Sequence, residues 1–375
     1  MALSASLDAP AWQRSRVLLL LAATATAAVP GISAAGSTPQ ARRATAAADA
    51  ELLVRGPGRP PVHALPPLPA GVSPALISHV VLAELGLLTG LTVVDLGCAV
   101  APVVPHLRLP AGEGSGPAAC LSGGRALPPD RVAALLRRGR FWGERLDPRQ
   151  PLVVAECVPG GTSTALAVLR GLGLAADGLV SGSLRYSAHD LKAALVARGL
   201  AAAGLAPAGA APELVLAALG DPMQALAAGL IPAAAKRGVP VLLAGGSQMA
   251  AVLALALALT PPGGRQALAE RVTLATTAWV AEEAGSDLQR LLALIGERWQ
   301  VSPRLEVAAL RFHGCRSAAL RDYERGYVKE GVGAGGLAWL WQRCGREPGE
   351  LARLCDRACA RLLARRAGSS SAAGA

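Results

Sequence analysis

Short aliphatic runs, most of them leading through a glycine loop toward a helix-like stretch, constrain this chain more than any other feature. Leu91–Leu96 ends at Gly97. Leu152–Ala155 enters a glycine loop that leads to a helical pattern over Thr164–Leu172. Val239–Leu243 repeats the arrangement, with Gly245-Gly246 and then a helix through Leu259, and Val272–Thr276 is a further short strand. These runs lack the alternation of a strand with one wet face, so they predict strands buried on both faces. Strand, loop and helix in this order predict an α/β fold, a doubly wound, mostly parallel sheet flanked by helices. Ligands of such sheets bind beyond the carboxyl ends of the strands.

From Leu288 the pattern changes. Leu351, Leu354, Cys355, Ala358 and Leu362 form an apolar stripe, while Arg353, Arg357, Arg361 and Arg365 recur every four residues opposite it. That amphipathic helix predicts a smaller helical lobe with a solvated basic face. The expected division is a disordered N-terminus over 1–10 and an N-terminal segment over 11–90 that partly completes the small lobe. A nucleotide-binding α/β core then spans 91–287, and a helical lobe carrying the Glu330 glycine loop spans 288–367. The Gly/Ser/Ala tail over 368–375 is expected to be disordered. Val54–Gly71, rich in Pro and Gly, reads as an extended connector.

An apolar fraction of 52% excludes a disordered chain. Two stretches imitate membrane segments. Arg14 and Arg16 precede Val17–Val29 in the manner of a signal peptide, but Thr24 and Thr26 break the run, and Val17–Ala23 fits a buried strand. Val239–Leu259 is long enough to span a bilayer, but Gly245-Gly246-Ser247-Gln248 interrupts it. The expectation is a soluble, cytoplasmic protein without a membrane partner. A net charge of +11 asks for an anionic partner. The arginines lack the aromatic interleaving of a single-strand platform, so a small phosphate-bearing substrate explains them better than nucleic acid. Seven cysteines form no CxxC or metal frame and read as reduced thiols, with no metal site.

Three segments place glycines, hydroxyls and a lone acid just after an apolar strand. In Glu156-Cys157-Val158-Pro159-Gly160-Gly161-Thr162-Ser163-Thr164, a Gly-Gly turn opens a helix whose exposed amides attract an anion. Thr162 or Ser163 as a plain helix cap remains open, and Glu156 suits either a catalytic acid or a loop anchor. Gly220-Asp221-Pro222-Met223-Gln224 and Gly245-Gly246-Ser247-Gln248 bring amides to apolar surroundings, which suits a flat base. On pattern alone they are glycine turns with caps. In Lys329-Glu330-Gly331-Val332-Gly333-Ala334-Gly335-Gly336 the glycines match GxGxxG, but no clear strand precedes them, which argues against a dinucleotide site. What remains is Glu330, a candidate base against a glycine turn.

Taken together and in this order, Glu-Cys-Val-Pro-Gly-Gly-Thr-Ser-Thr-Ala (156–165), Gly-Asp-Pro-Met-Gln (220–224), Leu-Leu-Ala-Gly-Gly-Ser-Gln-Met (242–249) and Lys-Glu-Gly-Val-Gly-Ala-Gly-Gly (329–336) form a recognisable set. It resembles the cyanobacterial and archaeal branch of the nicotinate-nucleotide–dimethylbenzimidazole phosphoribosyltransferase family, as does Pro30-Gly31-Ile32-Ser33-Ala34-Ala35-Gly36 near the N-terminus. The resemblance implies a homodimer whose substrates are nicotinate mononucleotide and a heterocyclic base, dimethylbenzimidazole or a purine such as adenine, and whose product is an α-ribotide used in cobamide assembly. It implies Glu330 and Glu156 as catalytic residues. It assigns phosphate and nucleotide binding to Gly160, Gly161, Thr162, Ser163, Thr164, Lys192, Gly331 and Gly333. It assigns the base pocket to Asp221, Gln224, Gly245, Gly246, Ser247 and Gln248. The chemistry calls for no cofactor, because a pyridinium leaving group already activates C1′. The segment Ser181–Asp190 departs from the branch, which leaves His189 without an assigned role. The alternative is a non-catalytic nucleotide- or phosphate-sensing protein on the same fold.

Overall fold

The computed structural model describes residues 9–110, 112–113, 116–206 and 209–372. Seven strands form one sheet: β1 (Arg16–Leu21), β2 (Leu91–Asp95), β3 (Leu107–Arg108), β4 (Leu152–Cys157), β5 (Val241–Ala244), β6 (Val272–Thr277) and β7 (Arg304–Ala308). Their order is β3-β2-β1-β4-β5-β6-β7, and every neighbouring pair is parallel. The order reverses direction between β1 and β4. In an open parallel sheet the crevice for a ligand lies at such a switch point.

The continuous apolar runs follow from burial on both faces. Along β4, Val154 and Leu152 face one core, which the helices Pro129–Gly143, Gly161–Gly171, Pro222–Lys236 and Ser247–Leu259 complete. Val153 and Ala155 face the other, covered by Pro39–Arg55, Ala75–Glu84, Ala334–Arg343 and Pro348–Ala372. On the first face, Pro129–Gly143 and Pro222–Lys236 approach backbone to backbone. A Cβ built on Gly139 would lie 2.2 Å from the Leu226 carbonyl oxygen, and one on Gly229 would lie 2.2 Å from that of Leu136.

The expected partition at residue 91 does not describe this sheet. The segment 16–21, assigned to the small lobe, is the central strand, because its run of Val and Leu is apolar on both faces and pairs with both β2 and β4. The C-terminal helices are likewise no separate body: Leu288–Trp299 packs on the first face of the sheet, Ala334–Arg343 and Pro348–Ala372 on the second, and β7 is its edge. The closing helix continues to Ala372, through most of the tail expected to be disordered, since Ala and Ser prolong a helix at little cost. Residues 1–8 and 373–375, also expected to be disordered, lie outside the described residues. Among the described residues, no helix is long and apolar enough to cross a membrane.

Candidate active site

A cavity of about 340 Å³ opens at the switch point. Its walls come from residues 33–35, 65–74, 156–162, 181–183, 246–248 and 327–332, with Thr45, Asp49 and Val280. Its concave shape and mixed lining suit small, partly apolar ligands.

Glu330 stands in a turn that bulky residues seldom make. Val328 (φ 65°), Lys329 (φ 49°) and Val332 (φ 54°) all lie in the left-handed region, at a cost of order 1–3 kcal/mol each. Tertiary hydrogen bonds hold the turn. The Thr277 hydroxyl donates to the Lys329 carbonyl at 2.7 Å, the Ser78 hydroxyl to the Val332 carbonyl at 2.8 Å, and the Val332 amide to the Glu156 carbonyl at 3.1 Å.

Both oxygens of the Glu330 carboxylate are fixed by two donors. Oε1 accepts from the amides of Gly331 and Gly335, each at 3.0 Å. Oε2 accepts from the Thr276 hydroxyl at 3.0 Å and the Thr277 amide at 3.1 Å. Burial raises its pKa above the usual carboxylate value, and these four bonds pull the other way. The glycines here serve close packing. A Cβ on Gly335 would lie 2.2 Å from the Thr276 carbonyl carbon and 2.4 Å from Glu330 Oε2, and one on Gly336 would lie 2.3 Å from Ala244 Cβ. The GxGxxG match thus has a structural cause without a dinucleotide.

Glu156, near the end of β4, is buried and accepts from the Val158 amide at 2.9 Å through Oε2. Burial, then the charges of Asp221 and Glu330, push its pKa up to about 8. This shift favours its protonated form.

Asp49 is a third acid in the wall. It accepts from the Ser73 hydroxyl at 2.6 Å and the Cys157 thiol at 3.5 Å, and burial pushes its pKa up to about 6.

The cavity collects part of the set expected from sequence. Glu330, Glu156, Gly160, Gly161, Thr162, Gly331, Gly246, Ser247 and Gln248 line it. Gly245, Gly333, Ser163 and Thr164 are not among the lining residues. Asp221 and Gln224 are fully buried as the reciprocal cap of the helix Pro222–Lys236, and Asp221 also accepts from the Thr164 hydroxyl at 2.6 Å. Lys192 is buried behind the wall, and its ammonium donates to the Ser181 carbonyl at 3.0 Å. His189 faces the carbonyl of Gly285 at 2.5 Å, away from the lining.

Residues that the pattern alone did not single out are Asp49, Ser73, Ser181, Ser183 and Glu283. Asp49 carried one signal, an acid inside the alanine-rich stretch Ala46–Ala50. The Pro/Gly connector, read as a linker, supplies the wall 65–74.

Residues 80–268 match a family profile described as "Phosphoribosyltransferase". The UPF0284 protein of Parasynechococcus marenigrum (strain WH8102) is 52% identical over 353 residues, covering 93% of this chain and 87% of that protein. The chain belongs to this phosphoribosyltransferase family. A UPF0284 protein of Gloeobacter violaceus (strain ATCC 29082 / PCC 7421) is 48% identical over 328 residues, covering 87% of this chain and 82% of its own length. The resemblance of the four ordered motifs is thereby borne out. A crystal structure of a nicotinate-nucleotide–dimethylbenzimidazole phosphoribosyltransferase from Thermus thermophilus shares the fold, with a TM-score of 0.57 at 20% identity, covering 91% of this chain and 82% of that one. A CobT structure from the same organism aligns with a TM-score of 0.58 at 21% identity, covering 91% and 83%. The doubly wound parallel architecture of this phosphoribosyltransferase is thus that of the CobT fold.

Proposed function

We propose that the chain transfers the 5-phosphoribosyl group of nicotinate mononucleotide to a ring nitrogen of a flat heterocyclic base, dimethylbenzimidazole or a purine such as adenine, giving an α-ribotide for cobamide assembly. The observation that carries this reading is the fixed carboxylate of Glu330 in a small cavity that it shares with Glu156. One ring nitrogen of the base attacks C1′. The C1′–N bond to the pyridinium breaks, and its electron pair stays on the nicotinate nitrogen. The proton on the second ring nitrogen of the base passes to Glu330. Because the leaving group is already activated, positioning and one proton transfer are the work left to the protein. Burial raises the basicity of Glu330 for that task, and its four donors fix its direction. Neutral Glu156 adds no second negative charge beside it and can donate a hydrogen bond to the ribose or the base.

Purified protein given nicotinate mononucleotide and each base in turn tests the reading. Base-dependent nicotinate release, with a ribotide of matching mass, supports it. Tight nucleotide binding without release for any base would replace it with the sensor.

A further inference from the structure

Asp49 lines the cavity from the helix Pro39–Arg55, and its side chain is buried. Each of its oxygens has a neutral donor. Oδ1 takes the Ser73 hydroxyl at 2.6 Å, and Oδ2 takes the Cys157 thiol at 3.5 Å. Two neutral donors compensate a buried carboxylate poorly. An acid kept in a cavity wall on those terms points to a task. An amide side chain has one acceptor oxygen, whereas a carboxylate can accept on both sides at once.

The first arm reaches the wall 71–78. Ser73 Oγ gives its proton to Asp49 and accepts the Ala75 amide at 3.1 Å, closing the turn that starts the helix Ala75–Glu84. Gly71 and Val72, just before it, are held from elsewhere: the Gly71 amide donates to Asp322 at 2.8 Å, and the Tyr323 hydroxyl donates to the Val72 carbonyl at 2.7 Å. Ser73 is the step that Asp49 controls. Beyond that step, two contacts brace the Glu330 turn. Pro74 Cγ lies 3.0 Å from where a Cβ on Gly331 would stand, and the Ser78 hydroxyl donates to the Val332 carbonyl at 2.8 Å. A turn with Val328, Lys329 and Val332 all at positive φ keeps its shape only through what packs on it. The second arm reaches β4 at Cys157, the residue after Glu156.

We propose that Asp49 is a positioning residue for the transfer reaction: by accepting from Ser73 and Cys157 together it holds the wall 71–78 and the end of β4 in one frame, and so sets the direction of the Glu330 carboxylate. The assignment rests on the reaction proposed above for the role of Glu330. Asp49 acts through Ser73 and the turn, and takes no proton from a ligand.

Asp49→Ala and Ser73→Ala test this in the full chain, each alone and combined with Glu330→Gln. Each alone is expected to lower kcat about tenfold to a hundredfold, the effect of misplacing a base by about 1 Å. KM for nicotinate mononucleotide should change by less than about threefold. With Glu330→Gln already present there is no base left to aim, and the same substitutions should change kcat by less than about twofold. Asp49→Asn can still accept from Ser73 and is expected to restore kcat to within about threefold of the wild type. Losses that persist in full beside Glu330→Gln, or KM rising in step with the fall in kcat, would reduce Asp49 to a structural strut and overturn the proposal. Should Asp49→Ala fail to fold, the Ser73→Ala pair decides alone. Hydrogen exchange reads the same link without turnover. Both alanine variants should speed exchange of the Gly331 and Gly335 amides, which donate to Glu330, by about tenfold. Unchanged exchange at those two amides would overturn the proposal. Faster exchange there in a protein that ribosylates no base would remove the transfer reaction and leave the Asp49 frame standing.

Discussion

The Val332 amide donates to the Glu156 carbonyl at 3.1 Å, which ties the turn bearing Glu330 to the strand bearing Glu156. One backbone bond thus links the elements that carry two of the three acids of the cavity. Their environments push them apart in role. Four donors hold Glu330 and oppose the burial that raises its pKa, whereas Glu156 accepts from the Val158 amide and feels the charges of Asp221 and Glu330. Pairs of acids separated in this way are a common route to distinct acid and base functions in one site.

Replacing the base is the most direct prediction. Glu330→Gln is expected to lower kcat by roughly 10²- to 10⁴-fold, the usual contribution of a general base. The glutamine also turns an NH₂ toward donors that need an acceptor. Nicotinate release measured beside the wild type checks this, and retained turnover would remove Glu330 from the role.

Glu156 makes stability depend on pH. In the unfolded chain it ionises near 4.5, whereas in the fold it keeps its proton up to about 8. Between these values the folded state binds the extra proton, so stability falls as pH rises through that window and levels off above it. Asp49 adds the same sign between 3.8 and about 6. Melting temperatures of the wild type should decline from about pH 5 to about pH 8, and Glu156→Gln should flatten that decline. An unchanged slope in the variant would show that Glu156 is ionised in the fold.

Gly335→Ala should damage the site without touching a charged group. Its Cβ would meet the backbone of Thr276 and Thr277 at 2.2 Å and Glu330 Oε2 at 2.4 Å. The helix Ala334–Arg343 must then withdraw from β6, taking the Gly335 amide from Glu330. Overpacking of this kind costs about 1–3 kcal/mol. Activity should fall further than stability explains, which paired thermal melts and turnover assays would reveal.

Gly229→Ala probes the scaffold far from the chemistry. The new methyl would lie 2.2 Å from the Leu136 carbonyl oxygen and force apart a pair of tightly packed helices. A loss of about 1–3 kcal/mol in denaturant unfolding is expected, with KM for the donor unchanged in the protein that remains folded.

Local pattern dictated the strands and their direction, because runs apolar at every position can be buried only between two helical layers. It also exposed Glu156 and Glu330, since an acid next to glycines at a strand end breaks that pattern. Four strands were legible as short runs, and β1 was legible as a buried strand though not as the centre of the sheet. Strand order depends on which neighbours pair across long stretches of chain, and local pattern carries no record of that. The same limit hid the cavity wall. Asp49 on one helix and the Pro/Gly segment 65–74 meet only when the second layer closes over the sheet. Asp221 and Gln224, polar among apolar neighbours, looked like ligand contacts, but Asp221 Oδ1 and Gln224 Oε1 are taken up by each other's backbone amides as a helix cap. Which buried polar group faces a partner in its own chain and which faces the cavity is decided by three-dimensional packing, because hydrogen-bond satisfaction depends on distances that spacing along a chain does not fix.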